Sequence, residues 1–377
     1  MLSIDRRGPH TRRLIISLIV AAFLCALPQP AQAVHRAFDP VARNWTGAAF
    51  YGARGTFFAD LTGDGKADAI VVDEERIRYR VSDGCRFGAA ATLTDTPFFG
   101  AYGTFFADVT GDGKADAIAV HADRVTVRRS EDGVIAPWIT GFFVGGIGNF
   151  FADVTGDGKA DAIIVEPAGI TVRRSNGVNA FGPREDWSHG SFYGSRGTYF
   201  ANVTSGTPAR ADAIAVNAGG IVVRRSQAIT LSGHEGFGSE ETWTPDAYYG
   251  TRENAFVDVT GDGRADAIVV NADGIAVRDA IGDRFRSPDP VTHAVSSGDA
   301  VIRKWGYWTM DPFYGTRGTF FADVDGDLAA DAIAVNDDGI FIRRARYTDY
   351  FKTCPPSLIL RPRPDFRLPP GLDRPFK

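Results

Sequence analysis

The sequence predicts an all-β fold, a six-bladed β-propeller, from three observations. A segment of about sixteen residues beginning at Gly55 recurs five more times. Each copy contains the pattern of about four short strands, and helical spacing of apolar residues is absent. The chain also begins with the strand pattern that its last copy lacks. A count of seven blades is the alternative.

The spacing of the copies along the chain can be measured from the residue that opens each acidic turn. The intervals between these residues are 48, 45, 49, 56 and 65 residues, and a period in this range indicates a solenoid, a propeller or an array. The six opening residues are Asp60, Asp108, Asp153, Asn202, Asp258 and Asp323.

One repeat predicts four antiparallel strands. In the first copy an apolar stretch at 56–61 is followed by a tight acidic turn, a second apolar stretch at 69–72 and an alternating run at 77–81. A fourth stretch, seen at Trp187–Gly194, precedes the next copy. Four strands in about 45 residues is the content of a propeller blade.

The two ends of the repeat region complement each other. Residues 45–52 match the fourth-strand pattern but precede the first full copy, and the last copy stops after its third strand at 340–344. Pairing these segments would close the ring and leave no open sheet edge. We expect Cys85 and Cys354 to form a disulfide across this seam.

The sequence divides into three regions. Residues 1–33 predict a signal peptide cleaved after Ala33, because arginines precede an apolar run and a small-residue cleavage site. Residues 34–353 form the predicted propeller. Residues 354–377 form a proline-rich tail. The protein is therefore expected to be secreted, periplasmic or at the cell surface, and the Arg12-Arg13 pair leaves twin-arginine export open.

The net charge of the chain without its signal peptide argues against one class of binding partner. Removal of the signal peptide takes away four Arg and one Asp, which changes the formal net charge from −5 to −8. Nucleic-acid affinity comes chiefly from basic groups on phosphates, so nucleic acid is excluded as a partner. The mature chain has no predicted membrane span, and we expect it to act as a monomer.

The acidic turns predict calcium sites. Oxygen-bearing groups fall at positions 1, 3, 5 and 9, with the carbonyl of position 7 as a further ligand and Gly at position 6, which suits a loop wrapped around Ca²⁺. The four predicted sites are Asp60, Thr62, Asp64, Lys66 and Asp68; Asp108, Thr110, Asp112, Lys114 and Asp116; Asp153, Thr155, Asp157, Lys159 and Asp161; and Asp258, Thr260, Asp262, Arg264 and Asp266.

Two loops depart from this pattern. The fourth loop, which starts at Asn202, lacks the carboxylate at position 5, so no metal is expected there. The sixth loop has a carboxylate at position 3 but Leu328 at the glycine position, which argues against the turn; its acidic residues are Asp323, Asp325, Asp327 and Asp331. The alternative for all loops is a plain Asp-Gly hairpin turn.

The junctions between repeats predict ligand contacts. An aromatic pair and Gly precede each first strand, and four copies continue with Arg. Aromatic faces beside Arg can bind sugars, carboxylates or peptide side chains. The alternative is that these aromatic residues pack one blade on the next. The candidate residues are Tyr51, Arg54, Tyr193, Arg196, Tyr249, Arg252, Tyr314 and Arg317.

The segment Phe-Ala-Asp-Val-Thr-Gly-Asp-Gly-Lys-Ala-Asp-Ala-Ile resembles the FG-GAP or VCBS repeat of integrin alpha chains and many exported bacterial proteins. The resemblance covers residues 45–344. It implies a propeller with structural Ca²⁺ in its hairpin loops and a binding or adhesion role, and some relatives are lectins or accompany polysaccharide lyases. Thr at position 3 and the two degenerate loops depart from the family pattern, and integrin propellers have seven blades.

The sequence favours a binding module over an enzyme. The six His residues occupy unlike positions in the repeats, and no nucleophile motif or zinc spacing accompanies them. We therefore expect a calcium-stabilised propeller that binds a glycan or an extracellular protein. A catalytic propeller acting on polysaccharide and a purely structural cell-surface protein are the alternatives.

Overall fold

The computed structural model describes residues 37–204, 206–228, 235–286 and 306–346. These ranges contain strands and turns, and among them no helix is long and apolar enough to cross a membrane. The predicted signal peptide at 1–33 and the predicted tail at 354–377 lie outside the described residues.

The described residues form 25 strands in chain order. They are β1 (Ala37–Phe38), β2 (Arg43–Asn44), β3 (Gly55–Ala59), β4 (Asp68–Val72), β5 (Ile77–Arg80), β6 (Ala91–Thr94), β7 (Thr104–Ala107), β8 (Asp116–Val120), β9 (Arg124–Arg128), β10 (Ile135–Thr140), β11 (Gly148–Ala152), β12 (Asp161–Glu166), β13 (Gly169–Arg173), β14 (Glu185–His189), β15 (Gly197–Ala201), β16 (Asp212–Asn217), β17 (Gly220–Gln227), β18 (Gly236–Thr244), β19 (Glu253–Val257), β20 (Asp266–Asn271), β21 (Gly274–Arg278), β22 (Gly318–Ala322), β23 (Asp331–Asn336), β24 (Gly339–Arg343) and β25 (Ala345–Arg346).

These strands form six antiparallel blades, as the repeats predict. The blades are β3–β6, β7–β10, β11–β14, β15–β18, β19–β21, and β22–β24 with β2. The second strand of each blade is buried on both faces, which explains its continuous apolar sequence, as in the Ala69–Val72 part of β4. The fifth blade has three strands, and an isolated β-bridge between Ala276 and Tyr307 takes the place of the fourth. The last interval of the repeat is the longest because of an insertion at residues 283–307, of which 287–305 lie outside the described residues.

The N-terminal residues close the ring, which confirms the prediction. Strand β2 pairs with β24 through Arg43 opposite Ile342 and Asn44 opposite Phe341. The paired strand lies just before Trp45, whose backbone N–H then donates to the carbonyl of Ile340 at 2.8 Å. Strand β1 adds a second closing contact by pairing with β25.

A Trp–Phe contact joins neighbouring blades. The Trp of a fourth strand packs on a Phe that follows the third strand of the next blade, with ring centroids 5.1–5.4 Å apart. The pairs are Trp45–Phe87, Trp138–Phe181, Trp187–Phe237, Trp243–Phe285 and Trp308–Phe38. The last blade takes its Phe from the N-terminus, so Phe38 and β2 together supply both of its missing parts.

Backbone hydrogen bonds also run around the ring. The N–H at position 8 of each acidic loop donates to the carbonyl at position 1 of the preceding loop, at 2.6–2.7 Å in all six cases. The bond from Ala67 to Asp323 crosses the seam between the first and last blades. The six acidic loops therefore lie side by side around one face of the propeller.

Candidate functional sites

The up-and-down order of strands gives the propeller two distinct faces. The acidic loops and the turns after the third strands lie on one face, here called the loop face. The connections between blades and the turns from second to third strand lie on the other, here called the junction face. The two sets of candidate residues are therefore on opposite faces.

The first Asp of an acidic loop organises the loop through backbone hydrogen bonds. Oδ1 of Asp60 accepts the N–H groups of Thr62 and Gly63 at 3.0 and 2.7 Å, and Oδ2 accepts that of Gly65 at 2.7 Å. The equivalent Asp residues of the second, third, fifth and sixth loops accept bonds in the same way. The carboxylate at position 1 therefore has a structural role in the turn without any metal, as the plain-turn interpretation requires.

The side chain at position 7 neutralises the carboxylate at position 5 within several loops. Lys66 Nζ lies 2.6 Å from Asp64 Oδ2, and Lys159 Nζ lies 2.7 Å from Asp157 Oδ2. Arg264 and Asp262 form the equivalent ion pair in the fifth loop. The Lys66 side chain holds the pKa of Asp64 low against the opposing effect of burial. In these three loops a Lys or Arg side chain of the loop itself neutralises one of the carboxylates.

The Asp at position 9 is completely buried in every loop. Asp116 shows its role, because Oδ1 accepts the N–H of Ser130 at 2.7 Å and Oδ2 accepts that of Val109 at 3.1 Å. Burial raises the pKa of Asp116 to about 6, and the two N–H bonds oppose this rise. The carboxylate joins the acidic loop to the end of the third strand, a function that sequence reasoning did not identify.

The fourth loop has a different set of hydrogen bonds from the other loops. Asn202 Nδ2 donates to the carbonyl of Gly263 in the next loop at 3.0 Å, and Thr204 Oγ1 donates to Asp212. Position 5, Gly206, offers no carboxylate. This loop contacts its neighbour through an amide and has no set of charged ligands.

The sixth loop brings three carboxylates together. Ligand oxygens of Asp323, Asp325 and Asp327 lie within 4.8 Å of one another, and this is the one such group of three acidic, His or Cys side chains in the described part of the chain. Leu328 does not prevent the turn, contrary to expectation: it adopts a φ of 73°, and its N–H donates to Asp323 at 2.8 Å as Gly65 does to Asp60.

The electrostatics of the sixth loop differ from those of the others. Position 7 is Ala329, so no lysine lies within the loop. Burial, followed by the Asp323 charge, raises the pKa of Asp327, and burial followed by the Asp325 charge raises that of Asp331. Arg344 lies 3.2 Å from Asp325 from outside the loop. The loop therefore combines three clustered carboxylates with an ion pair to an arginine outside it.

On the junction face, the four arginines lie on aromatic rings of the next blade. Each guanidinium carbon is 3.5–4.6 Å from a ring centroid. The pairs are Arg54 on Phe99, Arg196 on Tyr249, Arg252 on Tyr314 and Arg317 on Tyr51. These cation–π contacts join blades, so the packing interpretation holds for the aromatic rings.

At several junctions the other aromatic residue is also covered by an arginine, which comes from the third strand of the blade that follows the junction. Arg80 lies over Phe50, Arg224 over Phe192 and Arg343 over Phe313. Two of these arginines also form ion pairs. Arg343 does pair with Asp311 at 2.5 Å, and Arg224 with Glu240 at 2.9 Å.

Two junctions lack the arginine. Tyr102 and Ile147 take its place and are 49% and 41% exposed. Tyr193, which follows Ile147 around the ring, is 40% exposed, whereas Tyr51, Tyr249 and Tyr314 are partly buried beneath arginines. The sixfold pattern of the junction face is therefore interrupted at the two junctions that flank the second blade.

Glycine follows each aromatic pair for a steric reason. A Cβ on Gly52 would lie 2.3 Å from the carbonyl oxygen of Gly55 and 2.4 Å from that of Val72. The same close approach occurs at Gly100, Gly194, Gly250 and Gly315. This glycine fixes the backbone that carries the arginine two residues later.

Two shallow depressions lie on the junction face, one at the first blade and one at the second. One, of about 380 Å³, is lined by residues that include Ala53, Glu74 and Arg78. The other, of about 350 Å³, is lined by residues that include Phe99, His121 and Ile135. The first depression is also lined by Asp73 and Glu75, whose side chains pair with Arg78 and Arg76.

The remaining predicted residues are placed as follows. His121 lies in a turn of the second blade, where burial lowers its pKa, and His189 ends β14 in the third. Cys85 is disulfide-bonded. Cys354 lies outside the described residues, so the Cys85–Cys354 pairing stays a prediction.

Comparison with known proteins identifies the repeat. Residues 60–119 match the family model of the FG-GAP-like repeat. A search of curated protein sequences found no significant match. Among solved structures, an Agrocybe aegerita lectin that recognises non-reducing terminal N-acetylglucosamine is similar at 23% identity and a TM-score of 0.52, over 74% of this chain and 73% of the lectin.

A second similar structure is the Photorhabdus luminescens Tc holotoxin pore. It is 17% identical with a TM-score of 0.53, over 84% of this chain but 15% of the toxin chain. Identities at this level establish the fold alone.

Proposed function

Because the chain is a six-bladed propeller that carries FG-GAP-like repeats, we propose that it is an exported protein that binds glycans through its junction face. FG-GAP-like repeats are typical of extracellular proteins. The observation that carries the proposal is the set of cation–π pairs on this face, with guanidinium groups held 3.5–4.6 Å from aromatic rings. Held in this way, a guanidinium loses little conformational freedom when it binds a ligand.

The geometry favours binding over catalysis. Within the described residues, the one cluster of three acidic, His or Cys side chains is the sixth acidic loop, on the opposite face. His121 and His189 belong to different blades and different positions of the repeat. The similar lectin fold indicates that a propeller of this kind can present sugar sites.

A glycan array tests the proposal. The mature chain, residues 34–377, is applied with and without millimolar Ca²⁺, and we expect reproducible binding to a defined set of glycans. Release of reducing ends from polysaccharide would instead support the catalytic alternative, and the absence of any glycan signal would contradict the proposal.

We also propose that Ca²⁺ stabilises the propeller through the loop face, and that the sixth loop is its main site. Asp323, Asp325 and Asp327 would hold the ion, because three hard oxygen donors already lie within 4.8 Å. A bound cation would relieve the repulsion that contributes to the raised pKa of Asp327 and Asp331. The loops with an internal Lys or Arg would bind more weakly.

Thermal unfolding checks this metal proposal. Millimolar Ca²⁺ should raise the Tm relative to EDTA, and most of this rise should disappear in Asp327→Asn, since a neutral amide binds calcium less well than a carboxylate. Asp157→Asn, at the same position of the lysine-containing third loop, is the matched control and should keep most of the rise. Equal Tm values in wild-type protein with EDTA and with Ca²⁺ would refute the proposal.

A further inference from the structure

The four junction arginines form two classes. Arg54 pairs with Glu74 at 2.8 Å, and Arg317 pairs with Asp337 at 2.6 Å. Arg196 and Arg252 also lie on tyrosine rings, but neither forms an ion pair within the described residues. Two of the four positive charges are thus neutralised by the protein itself, and two are not.

The cause of this difference is one sequence position. The turn from second to third strand begins with an Asp or Asn whose Oδ1 accepts the N–H of the residue before the arginine: Asp73, Asn217, Asn271 and Asn336. The next residue is the acidic partner in the first and sixth blades. It is Ala218 in the fourth blade and Ala272 in the fifth, so the carboxylate is missing there.

Other charges do not replace it. Asp273, the nearest acidic residue along the fifth-blade turn, accepts a hydrogen bond from the Tyr307 hydroxyl at 3.1 Å. Glu253, next to Arg252, is the exposed first residue of β19 and forms no ion pair with Arg252 within the described residues. The turn of the fourth blade, 217–220, contains no acidic residue.

The surroundings of these two arginines are rich in hydrogen-bonding groups. Asn217 and Asn271 use Oδ1 to accept the N–H groups of Ser195 and Thr251, the residues just before the two arginines, each at 3.0 Å, and each carboxamide also carries an NH₂ donor. A guanidinium suits a carboxylate, and amide and hydroxyl groups suit sugar hydroxyls.

We propose that Arg196 and Arg252 bind the carboxylates of acidic sugars, of the uronic acid type, at two adjacent junctions. The proposal rests on the proposed glycan-binding function and names its ligand class. The two sites lie in neighbouring blades, joined by a hydrogen bond from Asn254 Nδ2 to the Arg196 carbonyl at 3.4 Å. One oligosaccharide or polysaccharide chain with repeated carboxylates can therefore gain avidity from both.

The test uses oligogalacturonates and their methyl esters, which share the same sugars but differ in charge. We expect the acid form to bind and the ester to bind at least about tenfold more weakly, since the charge-assisted hydrogen bonds to the guanidinium are lost. Arg196→Ala and Arg252→Ala should each weaken binding about tenfold or more, and Arg124→Ala, which removes an exposed junction-face arginine paired with Asp123, should change it by less than about twofold.

A second pair of variants keeps both arginines. Ala218→Glu and Ala272→Glu place an acidic residue where the first and sixth blades have one, and should weaken binding as strongly as loss of the arginine. Both alanines are exposed, so folding should be preserved, which circular dichroism and thermal unfolding verify. Full binding in the Ala218→Glu/Ala272→Glu double variant would overturn the inference.

The outcomes separate the inference from the proposed function. Binding of neutral glycans alone, with no effect of Arg196→Ala, would overturn the acidic-sugar assignment and leave glycan binding standing. Binding of oligo-glutamate as strongly as oligogalacturonate would assign the site to acidic peptides and overturn the sugar class. An array without any glycan signal would overturn both.

Discussion

Replacing Trp45 by Ala is expected to reduce the free energy of unfolding by about 3–5 kcal/mol, the usual cost of removing a large buried aromatic side chain. Trp45 is 4% exposed and lies at the seam of the ring. Its ring centroid is 5.4 Å from that of Phe87 in the first blade, and the Arg344 guanidinium of the sixth blade lies 5.3 Å from it. The substitution therefore removes contacts with both blades that meet at the seam.

Denaturant unfolding of the mature protein measures this effect. Val41→Ala is the control, because Val41 belongs to the same N-terminal segment but is 67% exposed, and its change should stay within about 0.5 kcal/mol. Trp187→Ala provides a second comparison, since Trp187 makes the same kind of contact with Phe237 inside the ring. A Trp45→Ala variant as stable as Val41→Ala would show that the N-terminal residues do not hold the ring closed.

The second large effect is expected for Asp116→Ala, which should cost roughly 2–6 kcal/mol. The substitution leaves the N–H groups of Val109 and Ser130 without their acceptor, and an unsatisfied buried N–H costs about 1–3 kcal/mol. Since Asp116 is completely buried, water cannot replace the carboxylate without opening the loop.

Unfolding in EDTA isolates this structural role from metal binding. Asp95→Ala, at an exposed position of the first blade, is the control and should change stability by less than about 0.5 kcal/mol. If Asp116→Ala loses less than about 1 kcal/mol in EDTA, the buried carboxylate does not hold the loop to the third strand.

The fold was predictable from the repeat, because every copy contains the same sequence pattern of strands and turns. The closing strand was predictable for the same reason, since the last copy visibly lacks it. Phe38 was not predicted, because it precedes the first copy of the repeat and contacts Trp308 of the fifth blade, far from it in sequence. A single residue outside the repeat is easily missed when only the repeat is compared.

The sites were less predictable, because ligand patterns in sequence do not show which side chains satisfy one another. The Asp64 and Lys66 positions both fit a calcium loop, yet their side chains form an ion pair at 2.6 Å. Leu328 argued against the sixth turn, yet the backbone tolerates it. Arg54 forms an ion pair and Arg196 forms none within the described residues, because the residue about twenty positions later is Glu74 in one blade and Ala218 in the other. This relation is visible only when the turn that carries the residue is folded beside the arginine.

The most direct test of a binding function on the junction face is a crystal structure of the mature protein with an oligogalacturonate. We predict sugar carboxylates on the guanidinium groups of Arg196 and Arg252, with Arg54 and Arg317 still paired to Glu74 and Asp337. A ligand bound in the central channel or among the acidic loops of the opposite face would contradict this account.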